Sequence, residues 1–475
     1  MKTHIIDHCC NNSRTYIDSF KMINNIELAN FDEADIVCYI GCAYTKERID
    51  QSIEEINELI QQKSSTSKLA IFGCITSYKE FYDNFKKIKD IDYIGRGYGQ
   101  QMQKELTKYL ETKLNNQELF YSELGLNFET PERINIVIQD GCTKRCAFCK
   151  SNYLNFKLRS TPFEAIISQI NNLTDNNSSD YNITEINIAG LNPTEYGLDL
   201  YKQPKLAELI RDISKIPTIE TILLDSLCLD RIDKDLLHEI ITNPKIKRIM
   251  IPVQSMDDRL LQLMGRKTPS QETYNILKTI STERPDIFLE TIFLICYPTE
   301  TKECIDKNIK LLEEIKIHNP VISVYKFGKN VKNLKSEHIA NVPEEKYYEL
   351  LDYHRENMIP LIEQQRRDLL SKPVEGKLVY KEADFDYYST LYRFTTNEFM
   401  IKCPTNNSIN LGQKILVQPE FLQSEPNWIY ATKSEEVKGR VLSKSIKYTN
   451  LESKKQVNCG VNCFFIFYFL VKYYH

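Results

Sequence analysis

Six short apolar segments alternate with amphipathic segments between residues 133 and 325, and this alternation constrains the fold more than any other feature. The apolar segments read RINIVI, ITEINIA, IETILL, KRIMIPV, IFLETIFL and PVISVY. The segments between them, such as TPFEAIISQINNL and TKECIDKNIKLLEEI, repeat apolar residues at helical spacing. Six strand-helix units in succession predict a parallel sheet curled into a partial (β/α)6 barrel of the TIM type. Its functional residues are then expected at the carboxyl ends of the strands.

The rest of the chain is organised around this predicted barrel, which we place at residues 133–370. Residues 1–112 alternate apolar runs with helical patterns and predict a small α/β domain, followed by a polar linker at 113–132. Residues 371–445 contain GKLVY, EFMIKC and QKILVQ and predict a small β domain. The segment 446–475 holds the apolar run CFFIFYFLV, which is too short to span a bilayer and favours a docked strand. The predicted fold class is therefore α/β with three domains.

Composition and charge limit the class of protein. With 42% hydrophobic and 27% charged residues, the chain has the composition of a folded protein, and its net charge of -4 gives no global nucleic-acid signal. The first residues contain no long apolar run after basic residues, so we expect a cytoplasmic protein without a membrane partner. Fourteen cysteines in such a chain indicate thiols and metal ligands rather than disulfides.

Three of these cysteines are closely spaced in the stretch QDGCTKRCAFCKSNYL, directly after the first predicted barrel strand. Cys142, Cys146 and Cys149 have the spacing C-x3-C-x2-C. A structural zinc site needs four ligands, and no other Cys or His lies within a dozen residues on either side. A disulfide would leave one thiol over. Three thiolates instead favour an iron-sulfur cubane, in which one iron stays open for a small-molecule ligand.

The cysteine motif, with Phe148 before its last cysteine, resembles the signature of radical S-adenosylmethionine (SAM) enzymes. The resemblance implies that Cys142, Cys146 and Cys149 hold a [4Fe-4S] cluster and that the open iron binds SAM. In that family an electron from the cluster cleaves SAM and yields a 5'-deoxyadenosyl radical, while the protein binds and orients the reactants.

Three further cysteines follow apolar runs in the N-terminal domain: Cys10, Cys42 and Cys74. Because the carboxyl ends of parallel strands lie at one edge of a sheet, three thiolates at this edge can hold a second cluster. This arrangement resembles the methylthiotransferases, which combine a three-cysteine domain, a radical SAM barrel and a small C-terminal β-barrel called TRAM. Cys9 stands where that family has glycine, so the choice between Cys9 and Cys10 as ligand stays open. Cys38, on the same predicted strand as Cys42, is interpreted as a buried apolar residue.

Motifs within the predicted barrel are similar to those of the same family. IPVQSMDDRLLQLMGRKT resembles its H-x-P-x-Q-S-G-S segment and the following L-x-x-M-x-R-x-Y-T pattern, with Met256 and Asp257 in place of glycine and serine. NIAGLNPTEYGLDL and ETIFLICYPTETKE fall where the family has a glycine-containing loop and a G-F-P-G-E-T turn. For the polar residues, a hydrogen-bonded structural role is the alternative. The resemblance implies SAM contacts at Phe148, Gly190, Gln254, Ser255 and Glu290.

The family resemblance implies an enzyme that converts C-H to C-S-CH3. Its cofactors would be two [4Fe-4S] clusters and SAM, and its partner a reducing electron donor such as a flavodoxin or ferredoxin. The second cluster would supply sulfur, and a second SAM the methyl group.

The substrate prediction depends on two segments that resemble one branch of the family. The loop AGLNPTEYGLDL and the stretch from TILLDSLCLDR to IPVQS are similar to the branch that acts on N6-threonylcarbamoyladenosine beside the tRNA anticodon, so we expect tRNA as substrate and partner. However, residues 369–442 contain nine Lys or Arg and nine Asp or Glu, where an RNA-binding module should be basic. The same chemistry on a protein or peptide is one alternative. A non-catalytic iron-sulfur or zinc-binding protein is the other.

Overall fold

A computed structural model gives the architecture of the chain, which falls into two compact units. Unit 1 comprises Met1–Lys245, Gln262–Lys267 and Tyr325–Asn341, and unit 2 comprises Ile246–Leu261, Thr268–Val324 and Val342–His475. The structure describes residues 1–8, 11–24, 26–43, 46–114, 119, 124–130, 132–149, 157–174, 182–325, 344–369, 374–381, 385–390, 400–404, 414–421 and 429–432.

The N-terminal part of unit 1 is a four-stranded parallel sheet with helices on both faces. Its strands lie in the order β1-β2-β3-β4. Because side chains alternate along a strand, Ile36, Cys38 and Ile40 enter one apolar cluster with α1 and α4, whereas Val37 and Tyr39 enter another with α2 and α3. The elements are β1 (Thr3–Asp7), α1 (Asn11–Ile23), β2 (Ile36–Gly41), α2 (Lys46–Gln62), β3 (Lys68–Gly73), α3 (Lys79–Phe85), β4 (Tyr93–Ile94) and α4 (Gly99–Lys113).

A second sheet of unit 1 contains the first three predicted barrel strands. β6, β8 and β9 are parallel neighbours, and β5 and β7 pair antiparallel with β6. The elements are β5 (Gly125–Thr130), β6 (Arg133–Asp140), β7 (Arg159–Ser160), α5 (Phe163–Thr174), β8 (Glu185–Gly190), α6 (Leu198–Tyr201), α7 (Leu206–Ile213), β9 (Thr221–Leu224) and α8 (Lys234–Thr242).

Strand β5 corrects the sequence prediction, because it lies within residues 113–132, which were predicted to be a linker. It pairs along β6, and its Leu126 N-H donates to Ser19 Oγ of α1 at 2.6 Å. Leu124 and Leu126 are buried. The segment has little apolar periodicity of its own, so its strand conformation depends on hydrogen bonds from β6 and α1.

Unit 2 contains the other three predicted barrel strands. β10, β11 and β12 are parallel, with Met250 opposite Glu290 and Glu290 opposite Asn319. Every residue of β11 is buried, as expected for a parallel strand covered on both faces. The elements are β10 (Ile246–Met250), α9 (Asp258–Leu263, whose last residues belong to unit 1), α10 (Ser270–Glu283), β11 (Phe288–Ile295), α11 (Lys302–Glu314), β12 (Asn319–Val324) and α12 (Glu344–Leu369).

The C-terminal part of unit 2 is a small closed β-barrel with the strand order β13-β14-β15-β17-β16. All its pairs are antiparallel except β15 with β17. The docked strand predicted within residues 446–475 lies outside the described residues. The strands are β13 (Val374–Lys381), β14 (Phe385–Thr390), β15 (Met400–Pro404), β16 (Lys414–Phe421) and β17 (Ile429–Thr432).

The α/β class and the order of all six predicted strand-helix units are confirmed. The predicted domain boundaries remain predictions. In the parts of the chain that the structure describes, no helix is long and apolar enough to cross a membrane.

Candidate iron-sulfur and cofactor site

The three closely spaced cysteines lie on one loop, residues 141–149, which we name the cysteine loop. It begins directly after β6 with Gly141, whose φ is +73°. A Cβ atom at Gly141 would lie 2.0 Å from the backbone oxygen of Lys157. Only glycine therefore fits where the chain leaves the strand and meets the segment that leads to β7.

Glu195 forms hydrogen bonds with the first half of the cysteine loop. Its carboxylate, which is fully buried, accepts hydrogen bonds from Thr143 N at 2.8 Å and from the Thr143 hydroxyl. Arg231 Nε lies 3.6 Å from the same carboxylate. Since Glu195 follows β8 and Thr143 follows β6, this contact connects the ends of two adjacent parallel strands.

The second half of the loop is held by backbone and ion-pair contacts. Ala147 N donates to Met264 O at 3.0 Å, and Lys144 Nζ lies 2.7 Å from Asp230 Oδ2. Both side chains of this pair are largely buried, with 13% and 5% of their surface exposed. Asp230 also accepts the Lys267 N-H at 3.3 Å. The loop is thus fixed on both sides, which makes it a preorganised support for ligands.

The Cys142 thiol accepts hydrogen bonds, and burial shifts the pKa values of the Cys142 and Cys146 thiols. Cys142 Sγ accepts hydrogen bonds from Lys144 N at 3.4 Å and Asn192 Nδ2 at 3.6 Å. Burial raises the pKa of the Cys142 thiol to about 12 and that of the Cys146 thiol to about 11. Metal ligation requires thiolates, so a positive centre must offset this burial. N-H groups directed at sulfur are a feature that tunes iron-sulfur clusters.

The donor set of the cysteine loop consists of three thiols. The cysteines that the structure describes are all thiols rather than disulfides. Within the described residues, no three His, Cys, Asp or Glu side chains converge closely enough to hold one metal ion. A cubane places each thiolate on a different iron, so three cysteines on one short loop suit a [4Fe-4S] cluster.

Phe148 lies on the loop, and two residues missed by sequence reasoning, Arg266 and Cys228, lie beside it. The Arg266 guanidinium is 5.6 Å from the centroid of the Phe148 ring. Arg266 Nη1 also donates to Cys228 Sγ at 3.3 Å. Cys228 has no readable spacing to another cysteine. Arg266 lies in the MGRKT segment that was identified by resemblance, which is the signal that could have found it.

Gly190 lies at the end of β8, against the side chain of Gln139. A Cβ atom there would lie 2.7 Å from Gln139 Oε1. Gln139 Oε1 accepts the Asn192 N-H at 3.3 Å, and its Nε2 donates to Gly141 O at 3.1 Å. Gly190 therefore makes room for a side chain that connects the cysteine loop to the loop after β8.

In unit 2, Gln254 and Ser255 lie in the turn after β10. Gln254 has a φ of +70°, and its backbone bonds to β11 through Ile292 O at 2.7 Å and Leu294 N at 2.9 Å. Ser255 is fully buried, and its Oγ accepts the Asp257 N-H at 3.1 Å. A left-handed conformation at a non-glycine residue costs free energy and occurs often at functional sites.

Glu290 lies within β11 and is buried in an ion pair. Its Oε2 accepts a hydrogen bond from Arg248 Nε, and its Oε1 accepts one from Asn319 Nδ2 at 2.6 Å. The Arg248 and Glu290 side chains are 1% and 3% exposed. Both carboxylate oxygens thus have protein partners, which is the structural alternative raised for this residue.

In the N-terminal sheet, Cys42 and Cys74 directly follow paired glycines of adjacent strands. Gly41 of β2 is in register with Gly73 of β3. Gly73 has a φ of +96°, and a Cβ there would lie 2.5 Å from Gly41 O. β1 is the neighbouring strand on the other side of β2, but Cys10 lies outside the described residues. Cys38 is fully buried in the apolar core, as interpreted from the sequence.

Comparisons with known proteins show which proteins this chain resembles. The family model of the radical SAM superfamily matches residues 136–312. Ribosomal protein uS12 methylthiotransferase RimO of Carboxydothermus hydrogenoformans is 28% identical over 366 residues, which cover 74% of this chain and 82% of that protein. The protein of the same name from Thermodesulfovibrio yellowstonii is 28% identical over 377 residues, covering 78% and 85%.

Among solved structures, the apo cobalamin-dependent S-adenosylmethionine radical enzyme OxsB is similar, with a TM-score of 0.46 and 16% sequence identity. The match covers 76% of this chain and spans 56% of that enzyme's own length.

The superfamily match begins in β6 and includes the whole cysteine loop, and the relatives align over most of both chains. The chain therefore carries a radical SAM domain and is similar over most of its length to methylthiotransferases, which supports an enzyme that transfers a methylthio group with SAM and two [4Fe-4S] clusters.

Proposed function

We propose that this enzyme places a methylthio group on a carbon of a protein side chain. The observation that carries this proposal is the match to two proteins named ribosomal protein uS12 methylthiotransferase over 82% and 85% of their lengths. The expected tRNA substrate, N6-threonylcarbamoyladenosine, gains no support from these relatives. The balanced charge of residues 369–442 also favours a protein partner over RNA. Ribosomal protein uS12 of the host cell is the first candidate substrate.

The cysteine loop would hold the cluster that works with SAM, through Cys142, Cys146 and Cys149. Asn192 and the Lys144 N-H, which donate to Cys142, would stabilise its thiolate. The buried Glu195 keeps Thr143 in place and so fixes the position of the loop.

The second cluster would be held by Cys42, Cys74 and Cys10 at the carboxyl edge of the N-terminal sheet. The glycines at 41 and 73 let the backbones of β2 and β3 approach closely where they deliver the first two thiols. When bound, the two clusters and SAM supply the electron, the hydrogen-abstracting group, the sulfur and the methyl group.

The residues proposed to contact SAM differ in how well the structure supports them. They are Phe148, Gly190, Gln254, Ser255 and Glu290. Phe148 stands within the cysteine motif, and Gln254 has the strained backbone described above. Gly190 and Glu290 have structural contacts that account for them without SAM. Phe148 and Gln254 are therefore the stronger candidates.

The test compares cells with and without this protein. Intact-mass and peptide mass spectrometry of ribosomal proteins should reveal a methylthio group in place of one hydrogen on a single side chain, only when the protein is present. Nucleoside mass spectrometry of total tRNA from the same cells is the parallel measurement. A methylthio nucleoside that depends on the protein, with unmodified ribosomal proteins, would reject the protein substrate in favour of tRNA.

A further inference from the structure

Among the described residues, Arg266 places a positive charge beside the cysteine loop with no carboxylate in ion-pair contact. Its Nε is buried and lacks a hydrogen-bond partner within the described residues. The nearby acid, Asp230, is already engaged by Lys144 at 2.7 Å and by the Lys267 N-H. A guanidinium is always charged in proteins, so this charge is available to another group.

The contacts of Arg266 fix its direction. Nη1 donates to Cys228 Sγ at 3.3 Å, and the guanidinium carbon lies 5.6 Å from the centre of the Phe148 ring. The preceding residue, Gly265, packs closely on Arg145, since a Cβ at 265 would lie 3.1 Å from Arg145 O. The guanidinium is therefore held beside the loop by the thiol of Cys228 and the ring of Phe148.

The groups that act electrostatically on Arg266 are mainly thiols. Burial lowers the pKa of its guanidinium, but Cys146, Cys228, Asp230 and Cys149 raise it, and the net shift is upward. Two of these thiols are proposed cluster ligands, so the positive charge lies within the field of the cluster site.

We propose that Arg266 raises the reduction potential of the cluster bound by the cysteine loop, and that Cys228 holds the guanidinium in position for this role. The proposal rests on the proposed ligands Cys142, Cys146 and Cys149. Taking up one electron adds one negative charge to the cluster, and a nearby buried cation stabilises the product more than the reactant. The electron comes from a low-potential one-electron donor.

The test is a redox titration of the full-length chain in the absence of SAM. Cys42→Ala and Cys74→Ala are introduced first, so that the loop cluster is the one observed. After anaerobic reconstitution and iron and sulfide analysis, the reduced fraction is followed by electron paramagnetic resonance. Three further variants are compared in this background: Arg266→Gln, Arg266→Lys and Cys228→Ala.

Arg145→Gln is the matched control, because Arg145 lies on the same loop next to Cys146 but is exposed. At a fixed potential, Arg266→Gln should lower the ratio of reduced to oxidised cluster about tenfold, which corresponds to about 59 mV for one electron. Arg266→Lys should retain most of the potential, and Cys228→Ala should shift it part of the way. Arg145→Gln should change the ratio less than about twofold, because solvent screens its charge.

An Arg266→Gln potential equal to that of Arg145→Gln, at equal iron content, would overturn the proposal. A role of Arg266 limited to binding SAM predicts that same unchanged potential. If Arg266→Gln loses the cluster, the test depends on Cys228→Ala, which keeps the charge of Arg266 but removes its hydrogen-bond acceptor. An unchanged reduction potential in Cys228→Ala would then overturn the proposal. If the background chain binds no four-iron cluster, the assignment of Cys142, Cys146 and Cys149 as ligands is wrong, and the role of Arg266 falls with it. If the cluster is bound but its potential does not depend on Arg266, only the proposed role of Arg266 is wrong.

Discussion

At the residue scale, the Arg248–Glu290 ion pair gives the buried carboxylate of Glu290 a structural role within β11. Both side chains are almost fully buried, and Asn319 occupies the second carboxylate oxygen. Such a pair contributes little net free energy compared with apolar residues, but loss of one partner leaves an uncompensated charge.

We therefore expect Glu290→Gln to lower the free energy of unfolding by about 3–5 kcal/mol, measured by urea denaturation followed by circular dichroism. The double variant Arg248→Met with Glu290→Gln, in which no buried charge remains, should recover a large part of this loss. Normal stability of Glu290→Gln together with weaker SAM binding would instead favour the role inferred from the family resemblance.

At the element scale, Glu195 connects the loops that follow two parallel strands, β6 and β8. Its partner Thr143 lies between the first two cysteines of the cysteine loop, so the contact would position the two proposed ligands Cys142 and Cys146. A side chain that keeps its hydrogen-bonding capacity should preserve this connection better than one that loses it.

Glu195→Ala should therefore reduce the iron and sulfide retained by the cysteine loop after reconstitution, whereas Glu195→Gln should retain more. Iron content and visible absorption are measured in a Cys42→Ala and Cys74→Ala background. Equal iron content in the Glu195→Ala variant and its parent would show that the loop holds its shape without Glu195.

The element scale also shows a limit of sequence reading. The segment containing β5 has a polar and aperiodic sequence, yet it forms a strand because β6 and Ser19 of α1 satisfy its backbone. By contrast, the β2 and β3 strands were readable, since each is a continuous apolar run that ends in glycine and cysteine.

At the scale of the whole molecule, the two cysteine sets should perform separable tasks. Replacing Cys142, Cys146 and Cys149 together by alanine should remove one four-iron cluster and abolish the formation of 5'-deoxyadenosine from SAM. Replacing Cys10, Cys42 and Cys74 should leave SAM cleavage intact under reducing conditions but stop methylthio transfer. Liquid chromatography of the SAM products and iron analysis measure both effects. Methylthio product from the second variant would mean that the sulfur has another source.

The sequence by itself determined the order of the six strand-helix units and the position of the cysteine loop. These features are local: apolar periodicity distinguishes strands from helices, and the spacing of Cys142, Cys146 and Cys149 lies within one short segment. For the same reason the sequence indicated that Cys42 and Cys74 follow strands.

Only the tertiary structure decided which polar groups meet at these positions. Thr143 and Glu195 are separated by 52 residues, Arg248 and Glu290 by 42, and Cys228 and Arg266 by 38. No local pattern encodes such pairs, because they form when strands and loops that are distant in sequence are brought together by the fold. The position of Arg266 became visible in the same way, since within the described part of the chain Asp230 pairs with Lys144 and the guanidinium contacts the Cys228 thiol.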